Sequence, residues 1–143
     1  MLLGSMLAGQ AFANSPVAAV HALAYPIGGR VYIPHGLSNA LVLPHVLRFN
    51  AAEAASAYAE LAVDAFPDLA SIPEPQARCS AFIERLADLP RRLHLPVRLR
   101  DVGIGEEHLA QMAADAMLQT RLLVNNPREL AEADAAAIYR AAW

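Results

Sequence analysis

The chain has 143 residues, enough for one domain with a hydrophobic core, and 56% of them are hydrophobic while 17% are charged. The alanine content favours closely packed helices. A net charge of −3, without a basic stripe, excludes the electrostatic footprint of a nucleic-acid-binding or anionic-membrane-binding protein. The single cysteine, Cys79, excludes an intrachain disulfide and fits a reducing compartment, so we expect a cytoplasmic protein. The apolar excess leaves two interpretations open: a surface covered by a partner domain or subunit, or an alanine-rich core.

An apolar helix is predicted over residues 2–13, and we interpret it as a buried core helix. No Lys or Arg precedes the apolar run, so it lacks the charged start of a signal peptide, and it is too short to span a bilayer. Another helix is predicted to start at Ser15 and Pro16, with the serine as N-cap and the proline at the first helical position. The helix that follows, over residues 17–23, carries His21.

A reversal of the chain is predicted directly after this helix. Pro26 is expected to end the helix, and Gly28 and Gly29 are expected to turn the chain. Residues 30–33 should then be extended, because Pro34 disfavours the helical conformation of the residue before it. This arrangement of helix, reversal and helix would bring the histidine of the first helix back towards the second.

The second helix is predicted to open at His35. Ser38 and Asn39 lie near its start, where their side chains can satisfy free backbone amides. Pro44 should kink the helix, and Asn50 is expected to end it as a C-cap.

Apolar periodicity predicts further helices at residues 51–66, 74–89, 106–117 and 132–142, and a short apolar turn or helix at residues 118–124. In the second of these, Cys79, Phe82, Ile83 and Leu86 share one face, and Cys79 is interpreted as a small buried hydrophobe. Since no strand-rich region or fixed repeat is evident, we predict one all-α, bundle-like domain of five to seven helices over residues 1–143.

The connector between the predicted helices at residues 74–89 and 106–117 is bracketed by Pro90 and Pro96, and residues 93–95 are expected to dock it onto the domain. A small basic cluster surrounds this connector, and we interpret it as a solvated turn between elements: Arg91, Arg92, Arg98 and Arg100.

His21 and His35 are the candidate metal ligands. They are 14 residues apart, and in one continuous helix they would be separated by about 21 Å, too far to share an ion that needs each nitrogen within about 2 Å. The predicted reversal removes this obstacle. His45 follows His35 by 10 residues, about 280° around a helix, and so faces elsewhere. The remaining potential ligands show no convincing spacing: His94, His108, Asp64, Asp101 and Glu106.

Three blocks of this region, H-A-L-A-Y-P-I-G-G from position 21, P-H-G from position 34 and N-A-L-V-L-P-H-V-L-R-F-N from position 39, resemble the metal-binding signature of the iron-containing (group III) alcohol dehydrogenases. The resemblance continues more weakly to the C-terminus. It implies that His21 and His35 are two of four metal ligands. It also implies that the other two ligands and the glycine-rich nucleotide-binding domain lie upstream, so that residues 1–143 resemble the C-terminal helical domain of such an enzyme.

The activity implied by this resemblance is the metal-dependent, NAD(P)-linked interconversion of a small-molecule alcohol and an aldehyde or ketone. The implied metal is Fe²⁺, with Zn²⁺ as the alternative, and NAD(P) would be bound mainly by the upstream domain. Tyr25 stands where many members carry a second histidine near substrate and cofactor. Unlike histidine, a tyrosine hydroxyl does not act as a base near neutral pH. We therefore interpret Tyr25 as a wall residue on the cofactor side of the site.

This chain alone would be inactive, because it supplies only half of the metal site. Its expected partners are the upstream nucleotide-binding domain and a second copy in a homodimer, with no nucleic acid or membrane. Two alternatives remain open: a truncated, non-catalytic helical module that only associates with a partner, and a relative that acts on a keto or hydroxy acid.

Overall fold

The computed structural model describes residues 2–143, which form an all-α domain as predicted, with no strand among them. Along this described stretch the α-helices are α1 Leu2–Asn14, α2 Ala19–Arg30, α3 His35–Ala65, α4 Pro75–Arg92, α5 Leu109–Met117, α6 Thr120–Leu123 and α7 Glu132–Ala142. Short 3₁₀ helices occupy Pro67–Ser71, Leu99–Val102 and Glu106–His108. The seven α-helices of residues 2–143 match the upper end of the predicted range.

The main core lies where α2, α3, α5 and α7 meet. Ala22, Leu23 and Ile27 of α2 are fully buried there, with Val42 of α3 and Met112 of α5 beside them. Burying one large aliphatic side chain stabilises a fold by about 1.5–3 kcal/mol, so α2 is anchored by several such contributions. The helix that carries His21 is therefore held rigidly in the centre of the domain.

A buried hydrogen bond adds to this anchoring. The hydroxyl of Tyr139, on α7, donates to the backbone carbonyl of Leu23 over 2.6 Å, between residues 116 positions apart. Tyr139 is fully buried, and burial raises the pKa of its hydroxyl well above the usual range. The phenol thus stays protonated and remains a hydrogen-bond donor at every pH at which the fold exists.

A second group of apolar contacts joins the C-terminal half of α3 to α4. Cys79, Phe82 and Ile83 of α4 are buried against Ala59 and Ala62 of α3. The predicted apolar face of this helix is confirmed. Burial also raises the pKa of the Cys79 thiol, which keeps it an uncharged packing group, as the sequence indicated.

The predicted turn at Pro26, Gly28 and Gly29 is wrong. All three residues lie inside α2, and neither glycine has a positive φ. Pro26 removes one backbone hydrogen bond, but the buried apolar positions along α2 outweigh this loss by packing against the core. The reversal instead occupies residues 31–34, which overlap the segment 30–33 that was predicted to be extended. Val31 has φ −126° and ψ 139°, and the chain re-enters helix directly after Pro34.

The predicted end of the second helix at Asn50 is also wrong. α3 continues from His35 through Pro44 and Asn50 to Ala65, so that two predicted helices are one. Asn50 is buried and exchanges two side-chain hydrogen bonds, of 3.0 and 2.8 Å, with the amide of Asn126. The side-chain amide of Asn50 therefore makes a tertiary contact and does not cap the helix, which continues past it.

The predicted burial of the first helix is wrong as well. The helix forms, as α1, but none of its residues is buried: Leu2 is 90%, Leu3 66% and Phe12 58% exposed. No other part of the described chain covers its apolar side chains. The predicted capping by Ser15 and Pro16 also fails, because both precede α2, which begins at Ala19 without a side-chain cap.

The connector at residues 93–95 does not dock as predicted. Leu93 and Leu95 are 65% and 44% exposed, and His94 takes a positive φ of 56° that reverses the chain there. Within residues 2–143, no helix combines the length and apolarity required to span a membrane.

Candidate metal centre

The chain reversal places His21 and His35 side by side. His21 lies in the first turn of α2 and His35 is the first residue of α3. Their ring centroids are 5.2 Å apart, and the ring planes are inclined by 57°. Two imidazoles that are remote in the sequence thus meet at one end of the α2–α3 pair.

Both rings point the same nitrogen towards one atom. The Nε2 atoms of His21 and His35 lie 3.5 and 3.1 Å from the side-chain nitrogen Nδ2 of Asn39. Asn39 is on α3, one turn after His35, so both side chains project from the same helix face. An amide NH₂ only donates, so this arrangement suits the tautomers in which each Nε2 carries a lone pair.

That is the state a metal ligand requires, since only the neutral imidazole nitrogen coordinates a cation. The other polar atom of Asn39, Oδ1, is buried and has no hydrogen-bond partner among residues 2–143. A buried polar atom without a partner costs about 1–3 kcal/mol, so the amide is poorly satisfied in this arrangement. Two converging imidazole lone pairs beside an orphaned buried oxygen fit a small divalent cation.

Burial and electrostatics also favour a neutral His21 ring. The pKa of His21 is lowered, first by burial and then by repulsion from a charged His35. His21 is half-buried between α2 and α3, whereas His35 is exposed at the start of its helix. The pair therefore has one ring fixed in the domain and one ring open to solvent.

Tyr25 lies one turn after His21 on α2, and its side chain is 47% exposed. Its ring stacks on that of His35, with centroids 6.1 Å apart and planes inclined by 22°. Tyr25 forms one wall of the open space beside the imidazole pair, where a second molecule or domain can reach it.

No group of three or more His, Cys, Asp and Glu side chains suited to a metal ion occurs within residues 2–143. The other histidines and the acidic residues considered from the sequence do not join the pair. Two imidazoles fill half of a four-coordinate sphere, so a complete centre needs ligands from outside this set.

Comparisons with known proteins identify the family of this chain. The family model described as "Fe-containing alcohol dehydrogenase family, C-terminal" matches residues 1–143. The chain belongs to this family. The resemblance inferred from the three sequence blocks is therefore confirmed over the whole chain.

The curated relatives of this Fe-containing alcohol dehydrogenase family member are longer than the chain. It is 42% identical, over its whole length, to long-chain-alcohol dehydrogenase 1 of Geobacillus thermodenitrificans, of which it covers 36%. It is 35% identical to lactaldehyde reductase of Escherichia coli, of which it covers 37%. The chain thus spans a little over a third of each of these relatives, which are oxidoreductases of alcohols and aldehydes.

Solved structures show the same fold. A crystal structure of a 1,3-propanediol oxidoreductase superposes on 97% of this chain with a TM-score of 0.89 and 34% identity, and the match covers 36% of that protein. An alcohol dehydrogenase from Oenococcus oeni superposes on 96% of the chain with a TM-score of 0.83 and 29% identity. The all-α chain corresponds to the helical C-terminal domain of these two-domain enzymes.

Sequence reasoning missed one residue of the site. Asn39 was expected to cap backbone amides, but its side chain instead lies against both imidazoles. Ser38 acts locally, its hydroxyl donating to the carbonyl of His35 over 2.8 Å. The signal for Asn39 was its spacing of four residues from His35, which places both on one face once the helix start is known.

Proposed function

We propose that this chain is the metal-binding C-terminal domain of an oxidoreductase that interconverts an alcohol with an aldehyde or ketone. His21 and His35 would supply two of the metal ligands, and residues 1–143 would form one functional unit. The observation that carries the proposal is the convergence of both Nε2 atoms on one point beside Asn39. It gains weight because the chain belongs to a family named for its iron.

The proposed cofactors are Fe²⁺, with Zn²⁺ as the alternative, and NAD(P). Imidazole nitrogen suits either metal. When bound, the divalent ion supplies a Lewis acid for the substrate oxygen, and the nicotinamide supplies hydride transfer. His21 and His35 would hold the ion through Nε2, in place of the Asn39 amide that both Nε2 atoms face in this structure. Tyr25 would shield one side of the pair from water.

The remaining ligands and the nucleotide-binding surface are assigned to a domain outside these residues. The chain covers only 36–37% of its curated relatives, which leaves room in such proteins for a second domain. The proposed substrate is a small-molecule alcohol or carbonyl compound, since relatives are named for long-chain alcohols, lactaldehyde and 1,3-propanediol. A cytoplasmic location and a homodimer belong to the same proposal.

A second candidate function is that of a non-catalytic module that only associates with a partner. One observation favours it: α1 presents Leu3, Met6, Leu7 and Phe12 to solvent, each more than half exposed. Such a surface suits association with another protein surface, whether or not a metal is bound.

Metal binding separates the two candidates. We expect the protein to bind Zn²⁺ or, without oxygen, Fe²⁺ in calorimetric titration, and we expect His21→Ala and His35→Ala each to weaken binding at least about a hundredfold. His94→Asn is the matched control, because it removes an exposed histidine elsewhere and asparagine tolerates the positive φ there.

Equal affinity of the His21→Ala variant and the unaltered protein would refute the metal site. A second assay tests the reaction itself, through alcohol-dependent formation of NADH by the protein combined with a nucleotide-binding domain of a family member. Full activity of the His21→Ala variant in a verified complex would leave association as the only supported role.

A further inference from the structure

A basic groove lies between α3, α4, the connector that follows α4, and the end of α7. It has a volume of about 190 Å³, and four of its lining side chains carry the argument: His45, Arg48, Arg91 and Arg98. We call it the arginine groove. Drug-sized ligands occupy pockets of roughly 300–1,000 Å³, so this groove has room for a small polar group only.

Three arginine side chains from separate elements line this groove. Arg48 comes from α3, Arg91 from the last turn of α4 and Arg98 from the connector. From the sequence, the arginines near the connector were interpreted as a solvated turn. In the structure these arginines are exposed, as that interpretation expects, and Arg48 and half-buried His45 of α3 line one groove together with Arg91 and Arg98.

The nearby acidic groups do not neutralise this site. Glu84 pairs with Arg48, at 2.7 and 3.2 Å. Asp101 is occupied by the backbone amides of Val97 and Arg98, at 3.3 and 3.0 Å. Among residues 2–143, Arg91 and Arg98 form no salt bridge. Two positive charges therefore remain uncompensated at one small groove of a chain whose net charge is −3.

His45 lines the groove as a neutral ring. Its pKa is lowered to about 4, first by burial and then by the positive charge of Arg48, and Glu84 offsets this only in part. At neutral pH the ring is therefore uncharged and offers one N–H donor without adding repulsion between cations.

We propose that the arginine groove binds a phosphate group, as inorganic phosphate or as the phosphomonoester of a small molecule. Guanidinium groups suit phosphate because their planar, forked donors form paired charge-assisted hydrogen bonds with its oxygens. A dianion also matches the two uncompensated charges of Arg91 and Arg98. His45 follows His35 by ten residues on α3, about 15 Å along the helix axis, so this site is separate from the imidazole pair.

The test is a calorimetric titration of the natural, unaltered protein in metal-free buffer at constant ionic strength. One arm uses inorganic phosphate and the other uses phenyl phosphate. We expect saturable binding of one phosphate per chain. Arg91→Gln and Arg98→Gln should each weaken binding by about tenfold or more, the effect of one lost charge-assisted hydrogen bond.

Arg92→Gln is the matched control, since it removes the same charge from the neighbouring, exposed position, which does not line the groove. Circular dichroism verifies that each variant is folded. Tighter binding of phenyl phosphate identifies a phosphomonoester as ligand, and tighter or equal binding of inorganic phosphate identifies the free ion.

Absence of saturable binding with both probes would overturn the proposal. So would equal weakening by Arg92→Gln, because binding would then follow net charge and not the groove. Since the buffer holds no metal, either result leaves the proposed metal site unaffected, and failure of the metal titration leaves this site unaffected.

Discussion

The helices α1 and α2 follow each other in the chain and are both rich in apolar residues, yet they differ in burial. α1 has no buried residue, whereas six of the twelve residues of α2 are buried. α2 also carries His21 and receives the hydrogen bond from Tyr139. Apolar composition alone therefore does not determine whether a helix is buried. Burial also requires a complementary surface on other elements.

Truncation of one leucine in each helix should give the largest contrast. Leu23→Ala in α2 removes a fully buried side chain and should lower the free energy of unfolding by about 2–5 kcal/mol. Leu7→Ala in α1, which is 53% exposed, should change it by less than about 0.5 kcal/mol. Urea denaturation measures both, and equal costs in the two variants would show that α1 is covered.

Removal of one hydroxyl tests the polar anchor of α2. Tyr139→Phe deletes the 2.6 Å hydrogen bond to Leu23 and should lower the free energy of unfolding by about 1–2 kcal/mol. Tyr25→Phe is the control, because its side chain is 47% exposed and should tolerate loss of the hydroxyl. The role of Tyr139 as anchor is contradicted if both variants unfold at the same urea concentration.

The same distinction between covered and uncovered surface applies to an ionisable side chain, His45. Its protonation is expected to have the smallest effect on the free energy of unfolding. The pKa of His45 lies below that of an unfolded chain, so the unfolded state binds the proton first as the pH falls. The contribution of neutral His45 to stability is thus present above pH 6.5 and lost as the pH falls towards about 4. Allowing for partial solvent screening, we expect on the order of 1–2 kcal/mol.

The charged side chains considered around His45 come from several elements: Arg48, Glu84, Arg91, Arg98 and Asp134. Unfolding in urea at pH 7 and pH 4.5 measures the effect, and His45→Gln should show a smaller loss on acidification than the unaltered protein. His94→Asn should keep the full loss. Identical pH dependence in the His45→Gln variant would assign the acid sensitivity to other groups.

Local rules gave much of the fold but placed its boundaries poorly. The last helix, Glu132–Ala142, and the apolar face of α4 were predicted correctly because apolar periodicity marks both segments. Pro26 and Asn50 were read as helix ends, since their local preferences oppose helix continuation. Tertiary contacts outweigh those preferences in both cases, and a single sequence does not display tertiary contacts.

The candidate site was predictable to a similar extent. The convergence of His21 and His35 followed from a correct expectation that the chain reverses between them, although the turn lies at residues 31–34. The role of Asn39 was predicted wrongly because its side chain lies against histidines of two different helices, α2 and α3. The burial of α1 was misjudged for a related reason, since periodicity does not tell whether a partner surface is within reach.

The length of α3 has a consequence for how the domain can be divided. Its 31 residues extend for about 46 Å, and its two halves belong to different apolar clusters, one with α2 and one with α4. A break in the polypeptide within α3 would leave each fragment with an incomplete interior. Recombination or domain insertion inside His35–Ala65 should therefore abolish folding, whereas an exposed junction such as residues 73–74 should tolerate it.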